Sequence, residues 1–435
     1  MAIRVLTGLM LGVVHAGFAF AQQPDEMPPL SLAAPPKVPS VSVMPGVVVS
    51  QALQGPVEVP PAPLPIPVAP RVSPPSATPV AADPPAGAIR WWGRAEYLIW
   101  WPKQQPLIPL LTGNNRLLPD IGTPGTSVLI GNSNVDPVNV PGGKFSAGIE
   151  LGGPNRLGIE TNYFFLGTQT RIYTSAGFTP ELWRFLGVPF LDLDSGQEQS
   201  FPLRQFESDG ALQAQTSTRV AGWEALVTMN LFEMAGFRLQ ALAGYRDFLA
   251  NEGLRIDVAG NRFVFDPVNF ATLAERYVRT DEVLTSNVFR GGTLGTRTNI
   301  DIGPVFVEVD SKLSFGNVRQ VVQRNGTTIT NREGTPDPIR TSNALFVQSS
   351  NTGTFENNQY AVMPEAGMKL GFTYRAAKLF FGYNVLYLNQ AVRPSDQLDR
   401  TVDLFNSATS NRPSPAIVVS DFWVQGVSFG FEMKY

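Results

Sequence analysis

From Phe422 to Tyr435 apolar and polar residues alternate with a period of two. Trp423, Val427, Phe429, Phe431, Met433 and Tyr435 share one parity; Gly426, Ser428, Gly430, Glu432 and Lys434 share the other, with Val424 and Gln425 as exceptions. Successive side chains of a strand point to opposite faces, so the first set forms an aromatic-rich apolar face and the second a face of small and charged residues. That division suits a barrel wall with hydrocarbon outside and a polar lumen within. The same texture recurs over residues 94–101, 144–151, 157–165, 221–231, 237–246, 305–315, 362–372 and 378–387, and more weakly over 287–300. Together these predict an all-β fold: a transmembrane antiparallel up-and-down barrel of about ten strands, within a range of roughly 8–12.

The connections support the same topology. Short links at 152–155, 233–236, 301–304 and 375–376 alternate with long polar stretches at 102–143, 167–215, 251–286, 318–359 and 391–421. Outer-membrane barrels have short periplasmic turns and longer external loops, so five external loops are expected. With ten strands both ends of the barrel chain fall on the turn side.

The first residues form a different segment. Arg4 precedes a mostly apolar run from Val5 to Phe20, and Ala19-Phe20-Ala21 is a small-x-small site. Residues 1–21 therefore read as a signal peptide cleaved before Gln22; an uncleaved anchor is the alternative. Residues 22–89 hold about half of the chain's 38 prolines. Proline lacks an amide donor and fixes φ, so this arm is expected to be extended polyproline II. It reads either as a periplasmic spacer toward the cell wall or a periplasmic protein, or as a disordered tail without a partner. The barrel is expected over 90–435.

Composition narrows the chemistry. A formal charge of -3 offers no basic face for nucleic acid. The only histidine, His15, lies within the leader, and the chain has no cysteine. A mature chain without either has no imidazole base, thiol nucleophile, zinc site of N or S ligands, or disulfide. No cofactor, metal or catalytic activity is expected. The candidate functional residues are instead the charges of the polar parity: Arg94, Glu96, Glu150, Glu160, Glu224, Arg238, Arg246, Glu308, Asp310, Lys312, Glu365, Lys369, Lys378 and Glu432. They can line an ion-conducting pore, or pair across a narrow lumen and fill it. Their mixed signs and a strand number near ten favour filling.

Trp91, Trp92, Trp100, Trp101, Trp223, Trp423 and Tyr435 are expected at the membrane interfaces, where amphipathic rings settle. Carbohydrate stacking is the competing role. Trp183, within residues 180–187, reads as part of a packed loop core or of a short amphipathic helix that caps the lumen. Asn325-Gly326-Thr327 reads as a β-turn, and Gly291-Gly292 as an aid to strand curvature. Asp192, Asp194, Glu198 and Asp209 read as a solvated acidic loop rather than a calcium site.

Several stretches resemble the BBP7 family of planctomycete-type outer-membrane β-barrel proteins. They are residues 91–101, from Trp91-Trp92-Gly93-Arg94 through Trp100-Trp101, residues 243–249, and 382–388 beginning Gly382-Tyr383. The most specific runs on through Val392-Arg393-Pro394-Ser395-Asp396-Gln397-Leu398-Asp399, where the family pattern has glycine in place of Ser395. Residues 427–432 are similar too. The resemblance covers about 90–435 and implies a barrel in the outer membrane; contacts with its lipid are expected, and the last strand, ending on the aromatic Tyr435 as outer-membrane barrels commonly do, is expected to engage the barrel-assembly machinery. It implies no activity. A structural or surface-display role with a plugged lumen is the leading expectation, against a narrow channel or a soluble exported β-sandwich that binds a surface polymer.

Overall fold

The computed structural model describes residues 89–132, 139–151, 156–180, 182–205, 210–266, 271–404 and 410–435. The expected leader and nearly all of the proline-rich arm lie outside the described residues, as do the 152–155 link, Glu181 and Asp209. Ten strands form a closed antiparallel ring: β1 (Ile89–Pro102), β2 (Val140–Leu151), β3 (Gly158–Leu166), β4 (Gly210–Met234), β5 (Phe237–Asp266), β6 (Ala271–Ile302), β7 (Val305–Arg332), β8 (Gly353–Tyr374), β9 (Ala377–Val392) and β10 (Val419–Lys434). Each strand pairs with its sequence neighbours, and β10 returns to β1 with Tyr97 opposite Phe429. Closure pairs each strand with a neighbour on either side, except over part of the β8–β9 boundary, and so greatly reduces the need to hydrate backbone groups inside a bilayer.

Tight reversals separate β4 from β5, β6 from β7 and β8 from β9. They turn on left-handed residues, Gly236 (φ 75°), Gly303 (φ 61°) and Arg375 (φ 55°). The first two are glycine because that region penalises a Cβ. Gly291 and Gly316 meet across the β6–β7 ladder: a Cβ on Gly316 would lie 2.1 Å from the Arg290 carbonyl oxygen, and one on Gly291 would lie 2.4 Å from that of Phe315. Close backbone approach accounts for these glycines.

The outward parity is exposed and apolar over a band of fixed height. On β7 it runs Val305, Val307, Val309, Ser311, Leu313 and Phe315 before turning polar at Asn317 and Arg319. On β8 it runs back from Phe372 to Val362 before Tyr360, Asn358 and Glu356. About ten residues at ~3.3 Å each, tilted by roughly 40°, span ~25 Å, the height of the lipid-facing band of such barrels. Large apolar side chains exposed on this scale mark a surface that hydrocarbon covers. Among the described residues no helix is long and apolar enough to cross a membrane.

Two expected loops are not loops. β5, β6 and β7 continue well past the band, converting much of 251–286 and 318–359 into strand, and β4 begins at Gly210. Residues 169–174 pair with β4, and 339–341 with β7. Asn325-Gly326-Thr327 is therefore interior to β7, not a turn. A second sheet, built from residues 111–114, 127–130, 185–192, 198–204 and 401–402, lies over this extension. Leu110, Leu111, Leu186, Val188 and Phe190 pack with Leu212, Leu254, Ile256, Val258 and Val322 in one core. Among the described residues of 180–187 no helix occurs: strand begins at Phe185, and Trp183 packs against that core. Asp192 caps the turn that follows, accepting from the backbone N–H and hydroxyl of Ser195 at 3.0 and 2.6 Å. Glu198 pairs with Arg400. No metal-binding cluster of acidic residues occurs among the described residues.

Within this extension Asp281 is buried and accepts backbone N–H groups from Leu345, Phe346 and Val347 at 3.2, 2.8 and 2.6 Å. Burial pushes its carboxyl up to about 6, although the three donors favour the anion. The folded protein therefore binds a proton more tightly there than the unfolded chain. Stability from this group is full at acid pH and is lost as pH rises from about 4 through 6. Subtracting Asp281→Asn from wild type isolates it from other titrations. The difference in unfolding free energy is expected to move against wild type by about 2 kcal/mol between pH 4 and 7.5. A flat difference in urea titrations contradicts it.

Candidate functional site: the barrel lumen

The inward parity builds two stacked layers. The lower one, toward the turns, is ionic. Arg94 on β1 reaches Glu308 on β7 with Nη1 at 2.8 Å and Glu432 on β10 with Nε at 2.9 Å. Lys369 lies 2.8 Å from Glu308, 3.5 Å from Asp310 and 3.8 Å from Glu96. Arg297 clamps Glu160 at 2.7 and 3.0 Å and meets Asp310 at 2.7 Å. Nearer the middle, Arg246 contacts both Glu224 and Glu365, and Lys312 joins the same two carboxylates at 2.6 and 3.0 Å. Arg94–Glu308, Lys369–Glu96, Arg297–Glu160, Arg246–Glu365 and Lys312–Glu224 connect strands that are not neighbours and so cross the lumen, while the other bonds join directly paired strands. Lys144 is buried opposite Glu96 in register.

The sequence-predicted charges thus converge, with differences at the turn-end mouth. Glu150, Arg238 and Lys378 are only partly buried and line a cleft of about 70 Å³ there. Arg238 pairs with Glu233, and the Lys378 ammonium lies 4.2 Å from the Phe306 ring centre. Arg297 and Lys144 are participants absent from the sequence-predicted set; for Arg297 the reason is visible in the sequence. Its strand carries Thr296 and Thr298 outward, which blurs the alternation that would have fixed its parity.

Above the ionic layer lies an apolar one to which all ten strands contribute. Leu98, Trp100, Val140, Leu166, Val220, Phe248, Phe289, Val318, Met363, Leu386, Phe422 and Val424 are buried in one cluster, with Phe164 beside it. Val424, an exception to the outward alternation, is a member. Two of the expected interface aromatics are corrected. Trp100 points inward into this layer and is 3% exposed, because it shares the parity of Arg94 and Glu96. Trp92 does likewise at the other end, its ring 5.6 Å from the Arg94 guanidinium. Trp91 and Tyr435 are exposed at the turn end; Trp101, Trp223 and Trp423 are partly covered, on the outward parity.

The stretch from Gly382 to Asp399 ties the second sheet to the barrel rim. Gly382 faces inward, where a Cβ would lie 2.7 Å from the Ser428 hydroxyl, and Tyr383 faces outward, donating to Gln425 at 3.1 Å. Arg393, 1% exposed, is bonded to Glu252 at 2.9 and 2.8 Å and to the carbonyls of Gln104 and Lys103 at 2.6 and 2.7 Å. Pro394 opens a 3₁₀ turn that holds Asp396 and ends at Gln397, whose amide donates to the Val418 carbonyl at 2.7 Å. Asp399 accepts from the backbone of Thr401 and Ser414. These residues position a fold element.

Among solved structures the chain is similar to the outer membrane protease OmpT from Escherichia coli, at 9% identity over 80% of this chain and 97% of that one, with a TM-score of 0.35. It is also similar to the Pseudomonas putida toluene transporter TodX (6% identity, 81% and 90% covered, TM-score 0.22) and a Pseudomonas aeruginosa FadL homologue (7%, 80% and 90%, 0.22). Comparison with curated proteins gives no match. The family described as "Putative beta barrel porin-7 (BBP7)" matches residues 92–435, so the chain, with its closed ring and lipid-facing band, belongs to that family of porin-like outer-membrane β-barrels.

Proposed function

We propose that this barrel is closed to solutes and serves to hold a folded body, the second sheet on its strand extension, at the cell surface. The observation that carries the reading is the apolar layer supplied by all ten strands. An ion crossing it would shed its hydration with no polar group to replace it, and such constrictions stop conduction by excluding water. The ionic layer beneath reinforces the barrier, since its charges are spent on one another. No catalytic role is proposed. The proline-rich arm would then leave the turn end into the periplasm, toward the cell wall or a periplasmic protein.

A narrow pore is the second reading, favoured by the polar cleft at the turn end and by the Glu96 carboxylate, whose oxygens are buried without a hydrogen bond. Planar bilayers separate the two. The purified protein is expected to give no steady conductance in 1 M KCl; a steady open channel overturns the closed reading.

A further inference from the structure

The wall is interrupted on one side. The ladder between β8 and β9 runs from Tyr374 opposite Ala377 to Glu365 opposite Leu386 and stops there, although β8 continues to Gly353 and β9 to Val392. The next residue of β8, Pro364, has no amide to offer, and the Val362 N–H is satisfied instead by the Asn389 side chain at 2.9 Å. The stop falls inside the apolar band, in its half away from the turns. Just inside this seam lie Met363, Leu386 and Leu388 of the apolar layer, and the Lys312–Glu365 ion pair also borders the hollow outside it.

Outside the seam the lipid-facing surface is hollowed, with a volume of about 600 Å³. Its floor is made of small outward residues, Thr296, Ser311 and Ala366, and its sides include Leu294, Leu313 and Tyr387. That volume lies within the range of roughly 300–1,000 Å³ in which proteins enclose one small ligand. Elsewhere the band is filled by Met368, Leu370, Leu379, Phe381, Phe429 and Phe431, so the hollow is local. At headgroup height on β6 and β7, the strands that carry Leu294 and Leu313, stand Arg290 and Arg319, both exposed. At ~3.3 Å per residue they lie about 13 Å beyond Leu294 and about 20 Å beyond Leu313. Each is paired with one carboxylate, Asp247 and Glu356, on the strand beside it.

We propose that this hollow is a lipid site: it holds one acyl chain of a phospholipid from the surrounding leaflet, with the phosphate near Arg290 and Arg319. The medium that meets this surface is hydrocarbon, continuous with the rest of the band. Cationic side chains at the membrane surface attract anionic headgroups. A phospholipid therefore matches both ends of the site, whereas a free fatty acid matches only its apolar part at the same depth.

The test uses the full chain reconstituted in vesicles of equal phosphatidylglycerol and phosphatidylcholine, extracted in mild detergent, washed, and examined by native mass spectrometry. Wild type is expected to retain one phospholipid per barrel, enriched in phosphatidylglycerol. Ala366→Phe, which fills the floor, is expected to lower retention at least tenfold, and Met368→Phe, on the same face outside the hollow, to leave it unchanged. Ser311→Phe serves the same purpose if Ala366→Phe does not show the heat-modifiable gel mobility of a folded barrel. Arg290→Ala with Arg319→Ala is expected to abolish the preference for phosphatidylglycerol. Equal retention by wild type and the filled variants, no retained lipid in wild type, or replacement by added oleic acid at the same occupancy overturns the proposal.

Discussion

Arg246→Ala is expected to lower the unfolding free energy of the barrel by about 3–5 kcal/mol. The guanidinium lies between Glu224 and Glu365; among the described residues Lys312 is the other cation at bonding distance of both, and the Asn162 amide donates to Glu224 at 3.0 Å. All four charged groups lie inside the wall, so removing one cation leaves two anions to a single ammonium in a poorly hydrated space. The double variant Arg246→Leu with Glu224→Met keeps Lys312 balanced by Glu365 and is expected to cost less than the single variant. Denaturant titrations in detergent micelles read both. The size of the effect also reports on the lumen. If water filled it, the charges would behave as an exposed pair worth about 0–1 kcal/mol, and the single variant would be nearly silent.

The apolar layer gives the second large effect. Phe248→Ala should cost about 3–5 kcal/mol, because the ring is 1% exposed and packs 6.4 Å from the Phe164 ring and 6.3 Å from that of Phe422. Phe248→Leu, which keeps most of the volume, should cost less. Pairing Phe248→Ala with Phe422→Ala removes adjacent parts of the seal. That double variant is expected to admit water and produce steady conductance where wild type has none. A double variant that runs as a folded barrel on gels and still does not conduct would put the barrier elsewhere, in the second sheet above.

Much of the membrane part was legible because lipid imposes a strict rule on it. An outward residue meets hydrocarbon and an inward one does not, so Tyr97, Val227, Phe381 and Phe429 declare their face at every second position. The tight turns were legible for a similar reason: a short link between long alternating runs leaves little choice. The strand extension was missed because water, not lipid, covers its outer face. Arg255, Asp257 and Ala259 there show no apolar parity, although Leu254, Ile256 and Val258 keep period two on the side that the second sheet covers. The apolar layer was hidden differently. Where a strand faces lipid outside and packed side chains inside, alternation disappears into runs such as Leu98-Ile99-Trp100-Trp101 and Leu386-Tyr387-Leu388. Such doubled runs, falling near one end of the band on several strands, were the available signal. Parity also outranked residue type at Trp92 and Trp100, whose rings point inward although tryptophan favours interfaces. The site at Arg393 was visible as a motif, but its role depends on Glu252, 141 positions away in sequence, and spacing alone does not bring the two together.

The absence of cysteine allows the central division of inside from outside to be read directly. Single cysteines placed in turn at residues 305–315 of β7 each carry one spin label, and collision with oxygen and with a water-soluble nickel chelate is measured in liposomes. The expected result alternates: labels at 305, 307, 309, 311, 313 and 315 collide with oxygen and not with nickel, while those at 306, 308, 310, 312 and 314 collide with neither. Nickel reaching the odd positions, or no alternation along the strand, would contradict a wall with lipid on one side and packed side chains on the other.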